Sequence, residues 1–139
     1  MNSREDLIDS LREINWQSLG IHLLILHGSA LRKNRPRDID LIIIADPVVD
    51  EEDLAIKVME EVERRTMIEA DIYFIKDPNE VNCFLLQEAL RNSVIIYQNE
   101  IGRKTLITSI NICYDFMLSR EKLRYTENLV ESVLRNAPR

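Results

Sequence analysis

The sequence predicts an α+β fold, a two-layer sandwich of helices against a mixed β-sheet. Three observations predict it. Two strand-like apolar runs, 21–27 and 38–45, succeed one another with only a loop or short helix between them, so they are placed to pair directly. Two further strand patterns, 70–75 and 94–97, each follow a stretch of helical periodicity. The order α-β-β-α-β-α-β-α therefore mixes a direct strand pair with helical crossovers, which a purely parallel sheet does not. A chain of 139 residues, 45% hydrophobic and 30% charged, fits one globular domain with a single core.

Each element has its own warrant. Ser3 is placed to cap a first helix, with Asp6 at the capping-box position and Leu7, Ile8, Leu11 and Ile14 on one face. Trp16 ends that helix and is expected over the edge of the core. The first strand stops at Gly28-Ser29, and the second opens on Asp38 and is stopped by Pro47. Asp50 begins a helix with Leu54, Ala55, Val58, Met59 and Val62 on one face. Pro78 closes the third strand, and Asn79 is the expected cap of the next helix, which turns Val81, Leu85 and Ala89 inward. After the short fourth strand, Asn99 caps a C-terminal helix running to about Arg135, with Ser119 as the place for a break if it folds back over the sheet. Cys83 and Cys113 fall inside helical patterns and are expected as reduced core residues rather than a disulfide; no CxxC or His/Cys cluster suggests zinc.

The chemistry concentrates in three acids. Asp38 and Asp40 stand two apart at the head of a strand, so their carboxylates project from one sheet face. Asp71 lies in the third strand pattern, and if the strands are neighbours the three carboxylates converge. Like charges at such distances repel, and the usual compensation is a divalent cation. Carboxylates favour Mg²⁺, which keeps few protein ligands and pairs them with substrate phosphates. Two such ions would activate an attacking hydroxyl and bridge nucleotide phosphates. Gly28 lets backbone amides approach a phosphate closely, and Ser29 adds a hydroxyl donor. Arg32, Lys33, Arg35 and Arg37 put four basic residues into six positions between that turn and Asp38. Alone, such a run is a solvated loop. Beside a carboxylate cluster it supplies cations to phosphate oxygens, which makes Arg32, Lys33 and Arg37 nucleotide-binding candidates. His27 is expected to pack at its strand end, with phosphate contact as the alternative. Tyr73 and Glu69 share the face of Asp71 by alternation; packing and a solvated strand end are their ordinary roles, base stacking and metal assistance the alternatives.

Together, Gly28-Ser29, Asp38-Ile39-Asp40-Leu41 and Asp71 resemble the DNA polymerase β-like nucleotidyltransferase superfamily. The short length resembles its minimal nucleotidyltransferase (MNT) branch, small proteins often paired in prokaryotes with a HEPN-domain partner. The likeness runs from about Leu7 to Tyr97 and includes the helix-then-strand ending 89–97. It implies the polymerase β-like palm fold and transfer of a nucleoside monophosphate, commonly AMP from ATP, to a hydroxyl. It implies Asp38 and Asp40 as metal ligands, Asp71 as a further ligand or base, and the Gly28-Ser29 turn as the holder of the phosphates. The acceptor it implies is a tyrosine of a HEPN toxin, with this chain as the antitoxin. The pattern departs from the family at Leu31, Lys33 and Arg37, where an Ala, a Gly and a Ser are usual. Those departures favour a rival reading, an antitoxin that neutralises its partner by binding. Transfer to a small molecule ranks last, because no separate acceptor domain is visible.

The net charge of -6 argues against broad binding to nucleic acid or anionic membrane. No apolar stretch approaches the roughly 18 residues of a transmembrane helix, and the first six residues lack the pattern of a signal peptide, so a cytoplasmic setting is the expectation. The C-terminal segment 101–139 is longer than a sandwich of this size can cover. Ile107, Ile110, Tyr114, Met117 and Leu118 form one apolar stripe in it, and Leu129, Val130, Val133 and Leu134 another, which points to association with a HEPN partner or a second copy.

Overall fold

The computed structural model describes residues 4–32 and 36–136. Its sheet has four strands: β1 (Ile21–His27), β2 (Asp38–Ala45), β3 (Glu69–Phe74) and β4 (Ser93–Gln98). They lie in the order β3-β2-β1-β4. β1 runs antiparallel to β2 and β4, and β2 runs parallel to β3, so the sheet is mixed as expected. The central strands β1 and β2 are apolar on both faces because both faces are covered.

One face carries α1 (Arg4–Arg12) and α2 (Glu51–Thr66). Leu7 and Leu11 of α1 and Leu54, Val58 and Val62 of α2 pack there with Leu24, Leu26, Leu41 and Ile43. Trp16 is buried in this cluster, and its indole N–H donates to the carbonyl of Leu11 at 2.9 Å. Asp50 caps α2 by accepting from the amides of Glu52 and Asp53. The α+β class holds, with one addition to the two-layer picture. The second face is covered by α3 (Cys83–Leu90) and the first half of α4 (Glu100–Arg135), against Leu23, Ile25, Ile42 and Ile44.

α4 begins where β4 ends. Asn99 caps it by accepting from the amide of Gly102 at 2.9 Å, and its side-chain amide meets His22 Nδ1 at 2.8 Å. A Cβ on Gly102 would collide with the backbone of His22, so the glycine is what lets α4 lie directly on β1. α4 runs to Arg135 as expected, without the alternative break at Ser119, because no Gly or Pro interrupts 103–137. Two expectations are corrected. Asn82 rather than Asn79 caps α3, accepting from the amide of Leu85; Asn79 lies in a short 3-10 turn (Pro78–Glu80) capped by Asp77. Cys83 and Cys113 are not free: they form a disulfide joining α3 to α4, with Cα atoms 5.2 Å apart. Both still sit in the core, so the burial was right and the redox state was not. The expected Ser3 cap lies outside the described residues. Among the described residues, no helix is long and apolar enough to cross a membrane.

Candidate active site

β1 delivers its chain to Gly28, which has a φ of +81°. That conformation strains any residue with a Cβ. A 3-10 turn (Gly28–Leu31) follows at once, with Ala30 and Leu31 buried beneath it and Ser29 half-buried at its surface. The Gly28 amide donates to the carbonyl of Asn92, which ties the turn to the connection entering β4.

β2 presents the acids. Alternation sets Asp38 and Asp40 on the face that carries Ile42 and Ile44 further along, the face covered by α3 and α4. In the parallel register Asp40 stands beside Asp71, and Asp38 beside Glu69. Asp71 shares its face with Tyr73 and Ile75, which pack into the same cluster as Ile42. The three acids therefore occupy one corner of one face. Asp40 is the innermost; Asp38 and Asp71 are exposed. A Cβ on Gly28 would come within 2.6 Å of Asp40 Oδ2, so the carboxylate lies against the turn.

The electrostatics agree with the geometry. Burial pushes the Asp40 carboxyl above its ordinary range; His27 opposes that shift, and the charges of Asp71 and Asp38 add to it. His27 faces Asp40 across the β1–β2 register. Burial holds its imidazole below the ordinary value, against the pull of Asp40. A carboxylate crowded by two others is a site that a hard cation would relieve. Among the described residues, no three acidic, histidine or cysteine side chains are already drawn around one point as a cage. Mg²⁺ does not require one, because it takes one or two carboxylates and completes its shell with water and phosphate. The donor set fits that ion.

Beside the acids a cleft of about 440 Å³ opens, lined by His27, Gly28, Arg32, Glu88, Arg91 and Asn92 among others. Arg32 and Arg37 are exposed, and Arg32 reaches this cleft; Lys33 lies outside the described residues. Arg91 and Asn92 escaped the sequence reading. The signal for them was the β4 register: Ser93 pairs with His27, so the preceding residues must flank Gly28. Arg91 also pairs with Glu88 at 3.5 Å on the α3 surface. Tyr73 is anchored by its hydroxyl, which accepts from the amide of Asn82 at 2.8 Å.

Comparison with known proteins points the same way. The family described as polymerase beta, nucleotidyltransferase matches residues 9–101. Curated protein sequences give no significant match. Among solved structures, the chain resembles a variant of the MntA–HpeT toxin–antitoxin, with a TM-score of 0.58 and 13% identity over 93% of this chain and 99% of the other. A toxin–antitoxin solved with AMP-PNP gives a TM-score of 0.56 and 14% identity over 91% of this chain and 98% of the other. A complex of an MNT antitoxin with a tri-AMPylated HEPN toxin of Shewanella oneidensis gives a TM-score of 0.53 and 14% identity over 91% of this chain and 95% of the other. At these identities the likeness is one of fold.

Proposed function

The chain belongs to the polymerase β nucleotidyltransferase family, and on that premise we propose that it is a Mg²⁺-dependent adenylyltransferase moving AMP from ATP to a hydroxyl. The observation that carries this reading is Asp40, set against the positive-φ turn at Gly28 and crowded by Asp38 and Asp71 on the same sheet face. Asp38, Asp40 and Asp71 would hold two Mg²⁺ ions, which when bound supply charge neutralisation for the triphosphate and the departing pyrophosphate. The Gly28 turn and the Ser29 hydroxyl orient the phosphates, and Arg32 with Arg91 lines the path of the nucleotide into the cleft. Arg37 and Lys33 extend the same basic run. The acceptor oxygen attacks the α-phosphorus, the bond to the bridging oxygen of pyrophosphate breaks, and Asp71 takes the hydroxyl proton.

The acceptor we assign is a tyrosine of a HEPN-domain partner, which makes this chain an antitoxin. The support is the MNT antitoxin likeness and the tri-AMPylated toxin in one of those complexes. The rival, neutralisation by binding alone, is favoured by Leu31, whose bulk fills the space beneath the turn where the family keeps a smaller residue. One experiment separates them. The protein is incubated with labelled ATP, Mg²⁺ and the product of its neighbouring reading frame, beside the Asp40→Asn variant. Transfer requires label on the partner with the native chain only. Absence of label, with the variant neutralising the partner as well as the native chain does, favours binding alone.

A further inference from the structure

The chain's two cysteines form one bridge, and its place in the fold is informative. Cys83 is the first residue of α3, and Cys113 lies in the half of α4 that covers the sheet. α3 has only eight residues, below the roughly 12–15 at which even a good helix former is marginal alone, so its position is set by what fastens it. Asn82, its cap, donates its amide to the Tyr73 hydroxyl at 2.8 Å, a bond open to solvent. Leu86 and Ala89 pack in one cluster with Leu106 of α4 and Ile25 of β1. The bridge adds a covalent fastening at the helix start.

Two sides of α3 face two hollows. On one side, α3 and α4 enclose an apolar groove of about 360 Å³, lined by Cys83, Leu86, Leu90, Cys113 and Met117 among others. Cys83 also borders a smaller hollow with Val81, Phe84 and Phe116. The bridge therefore stands at the wall of open grooves, where a small dithiol reaches its sulfur. On the other side, Leu85, Glu88, Ala89 and Arg91 line the cleft beside Gly28. The next residue, Asn92, accepts the Gly28 amide through its carbonyl at 3.4 Å. α3 is thus a strut. One end is fastened to α4 by the bridge, and the other meets the turn against which Asp40 lies.

We infer that the Cys83–Cys113 bridge is a site of reversible thiol–disulfide exchange whose state sets how firmly α3 walls the cleft, and with it the affinity for a nucleoside triphosphate. The nucleotide part rests on the function proposed above. The reductant is a dithiol. One of its thiolates attacks Cys83 Sγ, the S–S bond breaks, and Cys113 leaves as a thiolate that takes a proton. The second thiol then attacks the mixed disulfide, closes the reductant into a cyclic disulfide and releases Cys83 as a thiol. Two electrons pass from the dithiol to the bridge. The reduced chain keeps its apolar cluster, but α3 is then held by packing and one exposed hydrogen bond. A nucleotide must order the loosened wall as it binds, which weakens its affinity. Reciprocity requires the bound nucleotide to protect the bridge by the same factor.

The full chain is compared oxidised and after dithiothreitol, with circular dichroism as the check that both are folded. Short-time hydrogen exchange, before global unfolding contributes, reads α3 without any ligand. On reduction the amides of α3 and Gly28 exchange faster and those of α2 do not; a cross-link that only restricts the unfolded chain leaves these early rates alone. Calorimetry reads the cleft. The reduced chain binds Mg²⁺-ATP about tenfold more weakly, within the roughly 5–150-fold range of such couplings. Cys113→Ser binds as the reduced chain does and ignores dithiothreitol. In a dithiothreitol redox buffer, saturating Mg²⁺-ATP raises the reductant ratio that opens half of the bridges by the same factor. Equal affinity in the two states overturns the inference; so does a bridge that opens only in denaturant, or early exchange in α3 that reduction leaves unchanged. An oxidised chain that binds no Mg²⁺-ATP overturns the affinity claim through the function proposed above, and the exchange result tells that failure from an inert bridge.

Discussion

Replacing Gly28 with alanine tests the centre of the site with a single methyl group. Two costs follow. At a φ of +81° a residue with a Cβ pays about 1–2 kcal/mol, which for a chain of this size lowers Tm by about 2–8 °C. The second cost is local. The new Cβ would lie 2.6 Å from Asp40 Oδ2, and ordinary contact begins at 3.4 Å, so the carboxylate must retreat by about 0.8 Å. Displacements near 1 Å in a reacting constellation cost about 100-fold in rate. The expected result is therefore a modestly destabilised, folded protein whose adenylyl transfer falls by about two orders of magnitude. Scanning calorimetry and the labelled-ATP assay read the two effects separately. Gly102→Ala is the control: its Cβ meets the backbone of His22 at the docking point of α4, so it lowers Tm and leaves transfer by the folded fraction unchanged. If Gly28→Ala loses only stability and transfers at the native rate, Gly28 is a turn residue and the proposed contact with the site is wrong.

Other outcomes follow from the same geometry. Asp40→Asn should abolish transfer and leave the metal-free protein slightly more stable at neutral pH, because one of three mutually repelling charges is gone. The folded carboxyl keeps its proton to higher pH than the unfolded one, whose value is 3.8, so Asp40 makes native stability decline as pH rises from there through its raised value. Thermal melts across that range should show the stability of the variant gaining on that of the native chain as pH rises; a large loss of Tm in the variant would make Asp40 structural. Calorimetric titration with ATP should give clear heat in Mg²⁺ and little in EDTA, and equal affinity in both would remove the metal from the site. Reduction of the Cys83–Cys113 bridge, which closes a loop of 30 residues, should cost about 3–4 kcal/mol. The test is alkylation without reductant, and two reactive thiols in the native chain would refute the bridge.

What was legible in the sequence was local. β1 and β2 begin and end where their apolar runs do, because Gly28, Asp38 and Pro47 interrupt the pattern sharply. Asp50 and Asn99 were readable as caps because each immediately precedes helical periodicity. The choice between Asn79 and Asn82 was not readable. Both are short polar residues before the same helix, and the decision is tertiary: the amide of Asn82 is held by Tyr73, while Asp77 and Pro78 spend the earlier residues on a 3-10 turn. The disulfide was hidden for a similar reason. Two apolar-face cysteines 30 residues apart carry no sign of meeting until α3 and α4 are packed together. Asp38 and Asp40 could be placed on one face by alternation alone, but Asp71 becomes the neighbour of Asp40 only because β3 lies beside β2. Arg91 and Asn92 enter the cleft through the β4 register, which periodicity does not encode.

The two ends of β1 hold two different parts of the fold. Its amino end, at His22 and Leu23, is the seat of α4, fixed by Asn99 and by the bare Cα of Gly102. Its carboxyl end is the Gly28 turn, six residues on and about 20 Å away at roughly 3.3 Å per residue. α4 is thus seated at the end of β1 that lies away from the Gly28 turn. α3 lies between two hollows of the surface, and its faces are divided between them. Leu85, Glu88 and Ala89 turn to the cleft beside Gly28, while Leu86, Gln87 and Leu90 turn to the groove beside α4. Arg91, at the end of α3, lines both.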